Sequence, residues 1–404
     1  MNDTTRISRQ FSTAQVMEAI VHGGPVSRAS MAKQTGMSKQ TISEITRKLE
    51  SDGWIRETGR TSGHVGRTAI TYEIVPDAAC IATVDLGGTK IRAAIADLSC
   101  RVLGEVMEPT DPRGGKRVIE QINRLCRLAA LESKIPFENI KSAVVGVPGV
   151  PEKNTGRVLM APNIADFANI DVQGLLSEAL GIEVALENDV NLAVLGEQWG
   201  GAGIGLDDVA FIALGTGIGA GIIVGGNLLR GAANVAGEIG FLPIGADPFE
   251  AESLRAGAFE RAAATVGIKA RYHKLTGTSI DVPGIFDLAT KGDDHAIEVV
   301  RETAEYMARG VAAVCAVTNP ARVILGGSIG ARDEIVSRVR ALVLKCFPYE
   351  VDICVSKLGA HAALVGGAAV GLGRLHLGLF SGGMAAAAFP LPPVQVLRVV
   401  ESGS

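Results

Sequence analysis

The chain has 404 residues, a net charge of −4, and 47% hydrophobic and 20% charged residues. That composition excludes a mostly disordered polypeptide and leaves room for two or three domains with buried cores. Glycine is in excess, 50 of 404, against a usual ~7%; with no collagen-like period, the surplus belongs in turns and in loops that approach anions. The charge is unevenly divided: residues 1–75 hold ten Lys/Arg against seven Asp/Glu, and the remainder holds 29 against 36. A basic end precedes an acidic body.

Met1 to Arg9 carries charges and no apolar stretch of the secretory type. No run reaches the ~18 uninterrupted apolar residues that span a bilayer. Cys80, Cys100, Cys126, Cys315, Cys346 and Cys354 are scattered without a C-x-x-C pair, which argues for reduced, mostly buried thiols and against a disulfide framework or a cysteine-rich metal site. The expectation is a cytoplasmic protein with no membrane contact.

In chain order, Val16, Met17 and Ile20 form a helical stripe that stops at His22-Gly23-Gly24-Pro25. Ser27 reads as the N-cap of a second helix running to Thr35, Gly36 as a sharp turn, and Ser38 as the cap of a third helix with Ile42, Ile45 and Leu49 on its buried face. Two helices joined by a short turn containing Gly have helix-turn-helix spacing. The start of the third helix exposes Ser38, Lys39, Gln40, Thr41 and Ser43, with Arg47 and Lys48 further along; short polar groups there can reach base edges while the cations meet phosphates. Two alternating segments, from Trp54 and to Tyr72, flank a Gly-rich basic loop with Arg60 and Arg67. They read as a β-hairpin wing that enters a minor groove or grips backbone. The alternative is a protein-docking hairpin with solvated charges, but helix spacing, wing and local charge together favour duplex DNA as partner.

From Ala78 onward the pattern is α/β. Strands are expected at Cys80–Asp85, Ile91–Asp97, Ser142–Val147, Glu183–Leu186, Val209–Leu214, Ala220–Val224 and Arg322–Leu325, and helices near Val118–Glu132, Val172–Ala179, Val190–Gln198, Ala296–Thr318 and Asp333–Leu344. The segment 381–404, with Ala385–Ala388 and Pro390, Pro392 and Pro393, reads as a low-complexity tail, disordered or packed on a partner. Asp85-Leu86-Gly87-Gly88-Thr89-Lys90 and Leu214-Gly215-Thr216-Gly217-Ile218-Gly219 each fit a tight turn between hairpin strands, where main-chain N–H groups can approach an anion. Neither has Walker A spacing. Singly, each is as readily a structural hairpin; their recurrence suggests a duplicated fold with phosphates held between two lobes. Gly327, after Arg322–Leu325, ends a third strand of this kind. Asn188 and Asp189 precede a helix, where a carboxylate is stabilised by the helix dipole; spacing alone reads them as an N-cap. Glu238, in Gly237-Glu238-Ile239-Gly240, is equally ambiguous, and Asn163 after Pro162 either bonds a polar ligand or starts a turn.

These residues resemble the ROK family of repressors, open reading frames and kinases, from the first helix to about Leu375. The resemblance implies a winged helix-turn-helix (residues 1–75) followed by a two-lobed actin/hexokinase-like, ribonuclease H-like domain. Its lobes fall at 76–190 and 191–359, with a helix near 360–376 completing the first. By the same comparison Asp85, Gly87, Gly88, Thr89 and Lys90 look like the first phosphate loop, and Gly215, Thr216 and Gly217 like the second, with Gly327 toward the nucleoside. Gly146-Val147-Pro148-Gly149 resembles a signature near the sugar cleft. Asn163, Asn188, Asp189, Glu238 and Glu260 fall on sugar-contacting positions, Asp189 on that of the catalytic base. The family's zinc ligands, one histidine and three cysteines, are replaced by Phe241, Ala251, Ser253 and Ala258, so no structural zinc is expected. The resemblance implies a sugar-responsive DNA-binding regulator, as a repressor of carbohydrate genes acting on an operator as a dimer or tetramer, with a small sugar or sugar phosphate as effector. The alternative is an Mg-ATP-dependent sugar kinase, separately or in the same chain. A pure assembly module that binds no ligand is disfavoured by the retained polar cluster.

Overall fold

A computed structural model of the protein describes residues 3–62, 68–152, 154–160 and 164–396. The chain divides into two units, Met1–Glu187 with Gly367–Ser404, and Asn188–Gly366.

The first unit begins with α1 (Asp3–Gly23), β1 (Val26–Ser27), α2 (Arg28–Thr35), α3 (Lys39–Ser51), β2 (Ile55–Ser62) and β3 (Thr68–Ile74). Helix α1 runs further back than its apolar stripe because no Gly or Pro interrupts residues 3–22. Ser27 Oγ accepts the Ser30 N–H at 3.2 Å and Ser38 Oγ the Thr41 N–H at 3.1 Å, so both expected caps are in place. Gly36 takes φ 71 and returns its N–H to the Ala32 carbonyl, a left-handed C-cap that a side chain would strain. Strands β1 and β2 both pair antiparallel with β3, completing the wing. Val16, Met17, Ile20, Met31, Ile42 and Leu49 fill the core beneath.

Next come β4 (Cys80–Leu86), β5 (Lys90–Asp97), β6 (Arg101–Pro109), α4 (Gly115–Glu132), β7 (Ile140–Val147), a two-stranded β8 (Val150–Pro151) and β9 (Val158–Leu159), α5 (Val172–Leu180) and β10 (Glu183–Asn188). Strands β4 and β5 form an antiparallel hairpin, and β7 returns parallel to β4 after the α4 crossover.

The second unit comprises α6 (Asp189–Gly200), β11 (Val209–Leu214), β12 (Ile218–Val224), β13 (Asn227–Leu228), α7 (Ala251–Ala256), α8 (Ala258–Ala263), α9 (Thr265–Thr276), α10 (Val282–Thr290), α11 (Asp294–Thr318), β14 (Arg322–Gly326), α12 (Asp333–Cys346) and β15 (Ile353–Val355). Its sheet, ordered β13-β12-β11-β14-β15, repeats the plan of the first: an antiparallel hairpin, β11–β12, then β14 parallel to β11. The two glycine turns therefore occupy equivalent places in two copies of one topology. Helices α7 to α10 have no counterpart among the expected elements. The first two are only six residues each and meet at Gly257, too short for an apolar period to show.

Helix α13 (Ala362–Phe380) starts in the second unit and ends in the first. Residues 359–380 are long and apolar enough to cross a membrane, but more than half of that window, 56%, is buried in the fold, the pattern of a core helix. His376 is buried in it, its Nε2 against the Leu98 carbonyl at 3.1 Å. Burial pushes the imidazole down to about 4, so it packs as a neutral ring between Phe380 and Phe389. In the C-terminal segment the Pro390 carbonyl lies 2.7 Å from His22 Nε2, and β16 (Gln395–Val396) pairs parallel with β6. The first unit's large sheet is thus ordered β10-β7-β4-β5-β6-β16.

Candidate functional site

Helix α3 buries Ile42, Ile45, Thr46 and Leu49 and turns the opposite face to solvent. Ser38, Lys39, Gln40, Arg47 and Lys48 are exposed, while Thr41 and Ser43 are half-buried. Ser38 is engaged as the cap and also lies 2.8 Å from Thr41 Oγ1; Gln40 donates to Glu44 at 3.2 Å, and Lys48 pairs with Asp52 at 2.9 Å. Lys39, Ser43 and Arg47 recur every four residues and so share one stripe. Arg28, to which sequence reasoning assigned no part, fixes the helix: its Nε donates to Thr46 Oγ1 at 3.0 Å, and its guanidinium sits 5.0 Å from the centroid of the Tyr72 ring. One side chain thereby ties α2, α3 and β3, which holds the exposed stripe at a set angle to the wing. Arg60 lies in β2 opposite Ile70; its side chain and the whole of Arg67 lie outside the described residues.

In the first unit, the expected phosphate loop is the β4–β5 turn, closed by the Gly87 N–H on the Lys90 carbonyl at 2.9 Å. Thr110 braces it, donating its hydroxyl to the Gly87 carbonyl at 2.7 Å and its N–H to the Thr89 carbonyl at 3.0 Å. Gly88, Thr89 and Lys90 face solvent. Asp85 stands in register with Arg92 on β5 and Gly146 on β7. Burial pushes its carboxyl up to about 6, with Arg92 opposing and Glu105 adding to the rise. An added cation beside it would restore the charged form. Asn163 lies outside the described residues.

In the second unit, strand β12 gathers the remaining candidates. The preceding turn is closed by the Gly215 N–H on the Gly217 carbonyl at 2.9 Å, and Thr265 donates its hydroxyl to the Gly215 carbonyl at the same distance. Thr216 at its tip is exposed. The Gly327 segment lies alongside: the N–H groups of Ile329 and Gly330 both reach the Leu214 carbonyl at 3.0 Å. Glu260 on α8 accepts the Ile218 N–H, and a Cβ at Gly217 would stand 2.5 Å from its carboxylate. Glu238 is carried next to β12 by the bond from the Ala220 N–H to the Gly237 carbonyl, 2.9 Å. Burial raises the Glu238 carboxyl and the charge of Glu260 adds to it; burial also raises Glu260, with the Ile218 N–H opposing.

Asn188 is the N-cap of α6, its Oδ1 accepting the N–H groups of Val190 and Asn191 at 3.0 Å. Asp189 Oδ1 also accepts the Val190 N–H, at 2.9 Å. The start of α6 lies directly on β12, where a Cβ at Gly221 would meet the Val190 carbonyl at 2.5 Å. Asp189, Glu238, Glu260 and the second glycine turn are therefore all organised by one strand. Of these groups, Glu260 acts electrostatically on Glu238, while the Asn188 amide oxygen is occupied by the first N–H groups of α6.

The residues at the four zinc-ligand positions do not fit a metal. Phe241 closes a 3-10 turn, Ala251 and Ala258 open α7 and α8, and Ser253 is buried with its hydroxyl accepting from Arg261. None supplies the N or S donors of a tetrahedral zinc site. Among the described residues no group of three or more His, Cys, Asp or Glu is placed to hold a metal.

A family model described as ROK family matches residues 81–373, and one described as winged helix-turn-helix DNA-binding matches residues 15–56. The chain is 28% identical over 387 residues to the xylose repressor of Caldicellulosiruptor bescii, covering 89% of this chain and 94% of that protein. It is 30% identical over 307 residues to the glucokinase of Thermotoga maritima, covering 71% of this chain and 95% of that one. Among solved structures, a ROK family transcriptional regulator described as a homolog of the E. coli MLC protein matches with a TM-score of 0.73 at 22% identity, over 92% of this chain and 98% of the other.

Proposed function

Since the chain belongs to the ROK family and carries a winged helix-turn-helix ahead of the ROK domain, we propose that it is a sugar-responsive transcription regulator, a repressor of carbohydrate-metabolism genes. The observation that carries this reading is the pairing, in one chain, of an exposed polar and cationic face on α3 with an acceptor-rich cluster along β12. The first is suited to a duplex groove and the second to a polyol. The effector is a small sugar or sugar phosphate held by Asn188, Asp189, Glu238 and Glu260. The protein works in the cytoplasm as a homo-oligomer, because two recognition helices must meet half-sites about one helical turn (~34 Å) apart.

A sugar can shift operator affinity only if it binds two conformations unequally. Helix α13 offers a covalent route for that shift. Its first turn packs on α6, the helix that Asp189 opens: the contact is so close that a Cβ at Gly366 would collide with the Leu192 carbonyl. Its last turn places Phe380 in the core of the winged helix, edge to face with Trp54 at 5.8 Å between centroids. The test is operator binding followed by fluorescence anisotropy against a panel of pentoses, hexoses, N-acetylhexosamines and their phosphates. Release of DNA by one class is the expected result; operator affinity indifferent to the whole panel would reject the reading.

A second reading, sugar phosphorylation, is favoured by the equivalence of the two glycine turns and by Asp189 at the head of α6. Mg-ATP would supply the phosphoryl group. Asp189 would take the proton of the attacking hydroxyl; the turns at Gly87, Gly88, Thr89 and Gly215, Thr216, Gly217 would hold phosphates, with Asp85 toward the cation. Asp189→Asn should then abolish sugar-dependent ATP turnover with operator affinity unchanged. A wild-type protein without turnover across the panel eliminates this activity.

A further inference from the structure

The segment leading into α8 lacks metal ligands, yet its fold is tied by side chains that converge on Arg261. Nη1 of Arg261 donates to Ser253 Oγ at 2.5 Å and to Glu250 Oε2 at 2.7 Å. Ser253 is 2% exposed and stands where the resemblance places a thiolate. Glu250 and Ser253 flank the first turn of α7, and Arg261 follows Glu260 directly on α8. The tie thus closes α7 onto α8 at the residue next to the carboxylate that meets the Ile218 N–H.

We propose that Arg261 is a positioning residue, a metal-free clip that holds α7 against α8 and so fixes Glu260 beside the β11–β12 turn. A guanidinium is suited to this work because its donors are rigid, planar and permanently charged, so that one group serves two acceptors. The two acceptors contribute unequally. The Arg261 and Glu250 side chains are 28% and 53% exposed, so their charge attraction is screened and weak. The bond to the buried Ser253 hydroxyl carries more of the order, because breaking it strands a polar group away from water. The position of Glu260 then depends on this arginine and is indifferent to chelators.

The effect on Glu260 as a sugar contact rests on the receptor reading above; the clip itself does not, and the experiment separates them. Phe249 and Leu254 are 89% and 72% exposed, so chymotrypsin cleavage at these two residues of the full-length protein, followed by mass spectrometry, reports how tightly the segment is held. The wild-type cleavage rate should be the same with and without EDTA, and the purified protein should contain no stoichiometric metal. Arg261→Met should raise the rate about tenfold, equivalent to a loss of about 1.4 kcal/mol of local order. Arg261→Lys should restore part of it, and Ser253→Ala, which removes only the buried acceptor, should raise it without unfolding the chain. Faster wild-type cleavage in EDTA, bound metal at one ion per chain, or an unchanged rate in both Arg261→Met and Ser253→Ala would each overturn the clip. If the wild type binds a sugar, Arg261→Met should weaken that affinity about tenfold with operator affinity unchanged. If the wild type binds none of the sugar panel, the receptor reading fails, and the cleavage rates alone decide the clip.

Discussion

Glu260 Oε2 accepts the main-chain N–H of Ile218 at 2.9 Å, a bond that joins α8 to the β11–β12 turn across 42 residues of chain. The same carboxylate raises the proton affinity of Glu238, whose burial already disfavours its charge. Two acids near one strand, each less willing to ionise than a free glutamate, store unfavourable energy at neutral pH that a ligand with hydroxyl donors can relieve.

The sign of that storage can be read from stability. Because the folded-state value of Glu238 lies above its ordinary 4.5, its contribution is fully favourable below the unfolded value and is lost as pH rises through the folded one. Glu238→Gln should therefore leave the thermal midpoint at pH 4 nearly unchanged and raise it at pH 7, by the equivalent of roughly 0.5–2 kcal/mol. Sugar affinity should fall in the same variant. A midpoint that drops at both pH values would show that the carboxylate is structural.

Asp85 gives a second pH-dependent case in the other unit. Its carboxyl rises from 3.8 to about 6 through burial, so stability is lost between those values as pH increases. Asp85→Asn should gain roughly 1–3 kcal/mol above pH 6 and little below pH 4. Chemical denaturation at pH 4 and pH 7.5 measures the difference. An Asn variant that is less stable at both would mean that the charged form is the one held in place.

For the winged helix, the exposed stripe predicts how binding divides between phosphates and bases. Lys39→Ala and Arg47→Ala on this stripe, and Arg67→Ala in the loop that the sequence reads as the wing tip, should each weaken operator binding across sequences and reduce the slope of log affinity against log salt by about 1. Gln40→Ala should cost about 1–3 kcal/mol against the preferred site and much less against other DNA. Arg28→Met should weaken all of these contacts together, since it removes the side chain that ties Thr46 of α3 to α2 and to Tyr72 of β3. Anisotropy titrations at several salt concentrations discriminate the classes; equal slopes for wild type and the Lys39 and Arg47 variants would remove this face from the interface.

What the sequence disclosed follows the range of the interactions. Ser27, Gly36 and Ser38 were legible because capping and left-handed turns are settled within four residues. The glycine turns were legible for the same reason, although which strand would collect Asp189, Glu238 and Glu260 was not. Asn188 shows what spacing can reach: it is the N-cap that the local pattern favoured, while a sugar-contacting role was implied only by the family resemblance. Helices α7 and α8, the Arg261 tie and the pairing of β16 with β6 depend on partners distant in sequence or on elements of two to six residues, where periodicity carries no signal.

Glu197 is the strongest case of such a hidden partner. It is fully buried near the end of α6, and its Oε1 accepts the Ser356 hydroxyl at 2.5 Å and the Leu358 N–H at 2.9 Å, while Oε2 accepts the Ala202 N–H at 2.6 Å. These bonds fix the loop that leads into α13, one turn before that helix packs on Gly196. A buried carboxylate is tolerable only because so many donors surround it, and its removal would leave those donors without an acceptor. Glu197→Ala should cost at least about 3 kcal/mol, a fall of roughly 6–12 °C in the midpoint of a domain this size. Glu197→Gln should lose less, since it keeps the shape and one acceptor but turns an amide N–H toward other donors. If α13 carries the sugar response, the Gln variant should also hold operator DNA at sugar concentrations that release the wild type. A Gln variant that folds and is released at wild-type concentrations would confine Glu197 to stability.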